Sequence, residues 1–230
     1  PIWSNDSQYL VFASDRFGNN DLYQIPVSGG TPERLTFHSA GDSPYSVTPN
    51  GDILFTTARN YRQLEREAEI YTLKKGESTE KRFMDALGFN PVNSPNGNKI
   101  AFVRGTCRIA REAYDGPANR DVWVFDRSTN EYTQITKNST NDFNPHWLNN
   151  GKLAFISGRS GRYNIHLSDL DGNITQLTDQ DDFGIINFSV SPQTNTIAFQ
   201  TAKQSYTFDI NTKKAQPISM NISSDYRFDP

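Results

Sequence analysis

Basic side chains recur at one spacing in this sequence. Arg16, Arg59, Arg159 and Lys203 each stand four residues after a phenylalanine, and Arg104 stands two after another. Cations at equivalent places on repeated elements form a ring, and a positive ring attracts carboxylates by a steering effect that salt weakens. The same pattern has a plainer chemistry, in which each guanidinium ties down a turn by bonding carbonyls or a nearby carboxylate such as Asp21 or Asp121. Residues 104–120 form a second basic concentration, with Arg104, Arg108, Arg111 and Arg120 beside Tyr114. Long loops on a rigid scaffold often carry binding residues. The candidate peptide-binding set is therefore Arg16, Arg59, Arg104, Arg108, Arg111, Arg159 and Lys203.

Catalysis within this chain is not expected. A nucleophile needs a base within hydrogen-bond reach and an oxyanion donor beside it. His38, His146 and His166 fall at unrelated points of the pattern, and His166 takes a place held elsewhere by Tyr or Trp, so it reads as a structural aromatic. No G-x-S-x-G elbow and no H-E-x-x-H pair occurs. Asp179, Asp181 and Asp182 invite a calcium reading, but they lack the Gly and Glu of an EF-hand loop and read better as an exposed acidic turn. Neither a metal nor a cofactor is expected. Cys107 is the single cysteine, so no disulfide forms within the chain.

The chain has 230 residues and a net charge of -3, which removes the broad basic footprint that nucleic acid requires. No apolar run approaches the roughly 18 to 20 residues of a membrane-spanning helix, so membrane insertion is not expected. Aromatics make up 12% of the residues, and Asn, Ser and Thr are plentiful, a composition that favours strands and turns.

The elements that position the basic residues come from an internal repeat. Phe12, Phe55, Phe102, Phe155 and Phe199 mark five copies at steps of 43, 47, 53 and 44 residues, the period of a propeller blade. Each copy opens with a strand that ends in a Pro/Asn/Gly turn: Asn5-Asp6, Pro49-Asn50-Gly51, Pro95-Asn96-Gly97, Asn149-Asn150-Gly151 and Pro192-Gln193. An apolar run follows (LVFAS, ILFTT, KIAFV, LAFIS, TIAFQ), as expected of a strand buried on both faces. An alternating third strand comes next (DLYQI, EIYTL, DVWVF, NIHLS, SYTFDI), and Leu35-Thr36, Ile135-Thr136, Leu177-Thr178 and Ile218-Ser219 are expected as fourth strands. The second copy offers only Phe83 in that last role.

Such sheets cannot bury both faces alone and must stack, which predicts an all-β chain: a β-propeller of four-stranded antiparallel blades. The expected blades are 1–41, 42–88, 89–142, 143–184 and 185–230, in one domain over 1–230. They form either a five-bladed ring or part of a six-bladed one, and the chain is expected to be a fragment of a longer protein. Two insertions leave between second and third strands, on the face of the basic ring. Residues 104–120 are one. The other, residues 59–69, has Glu65, Arg66 and Glu67 in a mixed-charge run and is expected as a short solvated helix.

Residues 3–36, with the pattern W-S-x-D and F-x-S-x-R followed by D-L-Y and G-G-x-x-x-x-L-T, resemble the WD40-like repeat of TolB and tricorn protease propellers. Gly116-Pro117-Ala118-Asn119-Arg120-Asp121 is similar to the end of the insertion in tricorn-like peptidases. The resemblance implies the N-terminal propeller of a tricorn-like serine peptidase, a noncatalytic module that binds or channels peptides and docks onto downstream domains of the same chain. It leaves open a TolB-type periplasmic protein-interaction adaptor, and it implies a periplasmic or secreted location by analogy. A sugar-binding propeller ranks last, because Trp3, Trp123 and Trp147 sit at scaffold positions.

Overall fold

The computed structural model describes residues 1–61, 63–64, 66–191 and 194–219, and the described residues fold into five four-stranded antiparallel sheets without a helix. The first blade is β1 (Ile2–Trp3), β2 (Tyr9–Ser14), β3 (Asp21–Pro26) and β4 (Glu33–Arg34). The second is β5 (Asp42–Val47), β6 (Ile53–Thr57), β7 (Glu69–Leu73) and β8 (Lys81–Leu87), and the third β9 (Phe89–Asn93), β10 (Lys99–Arg104), β11 (Asp121–Asp126) and β12 (Glu131–Gln134). The fourth is β13 (Asp142–Trp147), β14 (Leu153–Ser157), β15 (Asn164–Ser168) and β16 (Ile174–Gln176), and the fifth β17 (Ile185–Ser191), β18 (Thr196–Thr201), β19 (Ser205–Asp209) and β20 (Lys214–Pro217). Strands follow one another in chain order across every sheet. The first hairpins turn where Gly51, Gly97 and Gly151 take φ of 89°, 73° and 79°, a region closed to most side chains.

The core lies between sheets. Phe55 packs with Val11 and Leu22 of the first blade, Phe102 with Leu54 and Ile70 of the second, Phe155 with Val122 and Val124 of the third, and Phe199 with Ile156 and Ile165 of the fourth. In the second to fifth blades the shared phenylalanine therefore faces the preceding blade, and each buried ring contributes about 1.5–3 kcal/mol of transfer free energy. First strands of successive blades touch (β1 with β5, β5 with β9, β9 with β13, β13 with β17), so they surround the axis. In the second, third and fourth blades the second strand is buried on both faces. In the fifth blade it is buried on one, because Ala198 and Gln200 turn to solvent.

Three local expectations are corrected. The described residues of 59–68 form turns and bends instead of a helix: Asn60 is held by Glu69, whose carboxylate accepts from the Asn60 backbone and side chain at 2.7 and 2.9 Å, and one short turn closes from Leu64 N to Tyr61 O. Glu65 and the Pro192-Gln193 turn lie outside the described residues. The fourth strands end just before the Leu-Thr pairs. Those pairs continue the ladder with a side chain, since Thr36, Thr136 and Thr178 Oγ1 each accept at 2.9 Å from the backbone of Leu22, Val122 and Ile165. The second copy, which offered only Phe83 for its fourth strand, forms there the seven-residue strand β8, with Met84 buried in the core.

Candidate functional site at the channel mouth

Antiparallel order sends every second-to-third strand loop to the same end of the propeller as the blade-to-blade connections, so all seven candidate residues share one face. Their surroundings differ. Arg59 is 7% exposed; its Nη2 donates to Asp42 at 2.8 and 3.1 Å, and Nη1 bonds Glu80. Arg159 Nη2 reaches both oxygens of Asp142 at 3.3 Å while its Nε donates to Ser157 Oγ at 2.8 Å. Arg104 pairs with Glu67 at 3.3 Å. Arg16 Nε donates to Ser14 Oγ at 3.0 Å and its guanidinium lies 4.6 Å from the Tyr23 ring. Lys203 is exposed and its backbone N–H donates to Thr201 Oγ1 at 3.3 Å. The carboxylates that tie the turns are Asp42 and Asp142, which open the same blades, and not Asp21 or Asp121: Asp21 pairs with Arg34, and Asp121 accepts from Thr136 at 3.2 Å.

Arg108 and Arg111 are exposed on the third-blade insertion, Arg111 stacking 4.7 Å from Tyr114. The insertion is fastened to the fourth blade. Glu112 accepts from Tyr163 N–H and pairs with Arg162 at 3.3 Å, Tyr163 Oη donates to Ile109 O at 2.8 Å, and Asn141 Nδ2 donates to Tyr163 Oη at 3.2 Å and Arg111 O at 3.3 Å. Gly105, at φ 116°, lets the two ends of the insertion meet, since a Cβ there would fall 2.0 Å from Asn119 O.

That closure carries Arg120, which its spacing does not distinguish from the other arginines of the insertion, to the start of inner strand β9. Its guanidinium lies 4.9 Å from the Phe89 ring, and Nε donates to Cys107 O at 2.8 Å. None of the ion pairs among the described residues includes it. Burial lowers its pKa, with the Glu67 carboxylate among the opposing influences, so the cation is partly desolvated, and that carboxylate is already paired with Arg104. Sequence could have marked Arg120 only by combining the G-x-A-N-R-D segment with the close approach at Gly105.

Inner strands approach the axis through bulges, between Pro44 and Ser46, between Phe143 and His146 and between Ile185 and Asn187, which re-aim their side chains. A cavity of about 540 Å³ runs along their far halves and opens among the first-hairpin turns, opposite the insertion; it is lined by Tyr45, Ser46, Asn93, His146 and Trp147 with Asn5, Pro49 and Pro95, and by no charged group among the described residues. Tyr45 has a pKa raised by burial, against a hydrogen bond with Thr56 and the charge of Arg120. Asn93 Nδ2 donates to Ser46 Oγ at 3.1 Å, leaving its buried Oδ1 without a protein donor. His146 and His166 are pushed down to about 4 by burial, so both rings are neutral at pH 7; His166 stacks on Phe155 as a structural aromatic. Asp179, Asp181 and Asp182 are exposed.

Residues 1–214 match the family described as the tricorn protease N-terminal beta propeller domain. Tol-Pal system protein TolB of Francisella tularensis subsp. holarctica (strain OSU18) is 25% identical over 200 residues, covering 85% of this chain and 40% of that protein. An uncharacterized protein of Agrobacterium fabrum is 28% identical over 114 residues, covering 45% and 39%. The chain thus spans about two fifths of the length of these curated relatives. Among solved structures, a putative TolB from Agrobacterium tumefaciens superposes with TM-score 0.77 at 19% identity over 94% of this chain and 78% of that one. Tricorn protease superposes with TM-score 0.79 at 17% identity over 96% and 22%. At those identities the superpositions speak for the fold.

Proposed function

The chain belongs to the tricorn protease N-terminal β-propeller family, and from that membership we propose a noncatalytic module that captures peptides at its channel mouth and docks onto a peptidase core elsewhere in the same protein. The observation that carries this reading is Arg120, a half-buried guanidinium that has no ion-pair partner among the described residues and lies against Phe89 at the insertion end of inner strand β9. A guanidinium so placed suits a carboxylate, which it can bind in fork geometry, and the low dielectric around it strengthens the pair. Arg108 and Arg111, exposed on the same insertion, extend the field outward and steer acidic ends towards the mouth. Arg16, Arg104 and Lys203 contribute to that field from the surrounding loops, while Arg59 and Arg159 act through the turns they hold.

The test is fluorescence anisotropy of labelled peptides with free and amidated C-termini. Arg120→Ala should weaken binding of the free-carboxylate peptide at least tenfold, the scale of one charge-assisted bond, and leave the amidated peptide unaffected. The double change of Arg108 and Arg111 to Ala should reduce the association rate and its salt dependence. Equal binding of both peptides by the unaltered protein would sink the reading.

A second reading is a periplasmic adaptor of the TolB type, which binds partner proteins without an attached enzyme. The match to TolB over 85% of the chain favours it. Under it, pull-down through the channel face recovers folded partners, and peptide carboxylates do not compete.

A further inference from the structure

A second cleft, of about 680 Å³, opens between the first and second blades at the end of the propeller opposite the insertion, among the first-hairpin turns and the turns joining third and fourth strands. Its floor is apolar: Val11, Leu35, Ile53 and Leu73 come from both blades. It exists because equivalent positions differ from blade to blade. Gln24 stands where the third and fourth blades place Val124 and Leu167, which fill the corresponding gap. Facing it, Leu73 stands where the third and fifth blades carry the larger Phe125 and Phe208 and the fourth carries Ser168.

The polar replacement is organised. Gln24 Nε2 donates to Glu33 Oε2 at 2.7 Å, which orients the carboxylate on the first-blade wall and leaves its other oxygen free for a ligand. On the opposite wall Lys75 is fixed by its backbone, whose N–H donates to Asp52 Oδ1 at 3.1 Å. Its aliphatic stem crosses Gly51, where a Cβ would come within 2.8 Å of Lys75 Cδ, and its ammonium stands exposed at the rim. The cleft thus presents an apolar floor between a first-blade wall bearing Asp6 and Glu33 and a second-blade wall bearing Lys74, Lys75 and Glu77, of which Lys74 pairs with Glu77 at 3.8 Å. Pockets of this size and mixed character are typical small-ligand sites.

We propose that this cleft binds a compact zwitterion with an apolar body, of the class of an aliphatic dipeptide, its ammonium towards Glu33 and its carboxylate towards Lys75. The cleft borders the channel cavity at Asn5, Val47 and Pro49 but lies at the end opposite Arg120, and the proposal does not rest on the function assigned there.

The probe is leucyl-leucine, titrated by calorimetry into the 230-residue protein. Saturable binding is expected, weakened at least tenfold by N-acetylation of the ligand or by Glu33→Gln, and likewise by C-terminal amidation or Lys75→Ala. Gln24→Leu, which places in the first blade the side chain the fourth carries at Leu167, should fill the cleft and abolish binding while the melting temperature stays level or rises. Arg120→Ala should leave this binding intact, so the two sites fail separately. Absence of saturation, equal affinity for the capped dipeptides, which marks a merely greasy groove, or binding that survives Gln24→Leu would each overturn the proposal.

Discussion

Arg59 Nη2 holds both oxygens of Asp42, at 2.8 and 3.1 Å, across the opening of the second blade, and Arg159 holds Asp142 in the same way two blades later. Asp42 is fully buried, and its desolvation raises its pKa even with the guanidinium beside it. Removing Arg59 leaves that carboxylate, and Glu80, without a cation. Arg59→Ala should therefore destabilise the protein by about 3–5 kcal/mol at pH 7, the cost of stranding a buried charge. Urea unfolding checks this, and a loss below about 1 kcal/mol would mean that water reaches Asp42.

The third blade lacks the corresponding support for its own carboxylate. Arg34 pairs with Asp21 in the first blade, whereas Gln134 takes the place of Arg34 beside Asp121. Asp121 is pushed up to about 6, by burial first and by the neighbouring Asp142 as well, against bonds from Thr136, Asn119 and Gln134. Folded Asp121 keeps its proton to about pH 6, while an unfolded Asp releases it near pH 3.9, so the native state binds the extra proton within that window. From this residue, stability falls as pH rises from about 4 to about 6 and is level above. Gln134→Arg should remove most of that slope and add about 1 kcal/mol at pH 7.5, a figure discounted for partial exposure. Thermal melts at pH 4.5 and 7.5 read both effects, and an unchanged slope in the variant would refute the pairing.

The repeat was legible because blade stacking demands the same residue types at the same places: Phe55, Phe102 and Phe155 are fully buried against the blade before them. Arg59 and Arg159 were legible as cations but not as spent cations, since their partners Asp42 and Asp142 lie 17 residues earlier, across a register that only the folded sheet fixes. The helix expected in 59–69 failed because propensity is a weak prior against tertiary anchors, here Glu69 on Asn60 and Glu67 on the backbone of Gly105. Arg120 stayed hidden for a similar reason, its place at the channel being set by the closure at Gly105.

The insertion depends on Glu112 reaching the fourth blade past Gly184. A Cβ at Gly184 would lie 2.3 Å from Glu112 Oε1, so Gly184→Ala should push Glu112 off the Tyr163 backbone and release residues 108–112. Trypsin should then cleave at Arg108 or Arg111 markedly faster than in the unaltered protein, with a melting temperature lowered by only a few degrees. Glu112→Gln keeps the contact with the Tyr163 amide but loses the ion pair to Arg162, and should be nearly neutral, as exposed pairs usually are. Equal cleavage of the Gly184 variant and the unaltered protein would show that the insertion is held without Glu112.

Trp3 reports on what covers the first blade. It is 57% exposed, and alternation along β1 and β2 puts it with Leu10 and Phe12 on the face turned away from the second blade. Every other shared phenylalanine uses that face to meet a preceding sheet, so Phe12 and Trp3 await the same contact. In a longer protein that carries a further repeat, a sixth blade should settle there. A Trp3-only variant, with Trp123 and Trp147 changed to Phe, should emit at a shorter wavelength in the longer protein than in residues 1–230 and lose most of its quenching by acrylamide. Identical spectra would argue for a ring that closes without a sixth blade, because burial of an indole against an aliphatic sheet cannot leave its emission unmoved.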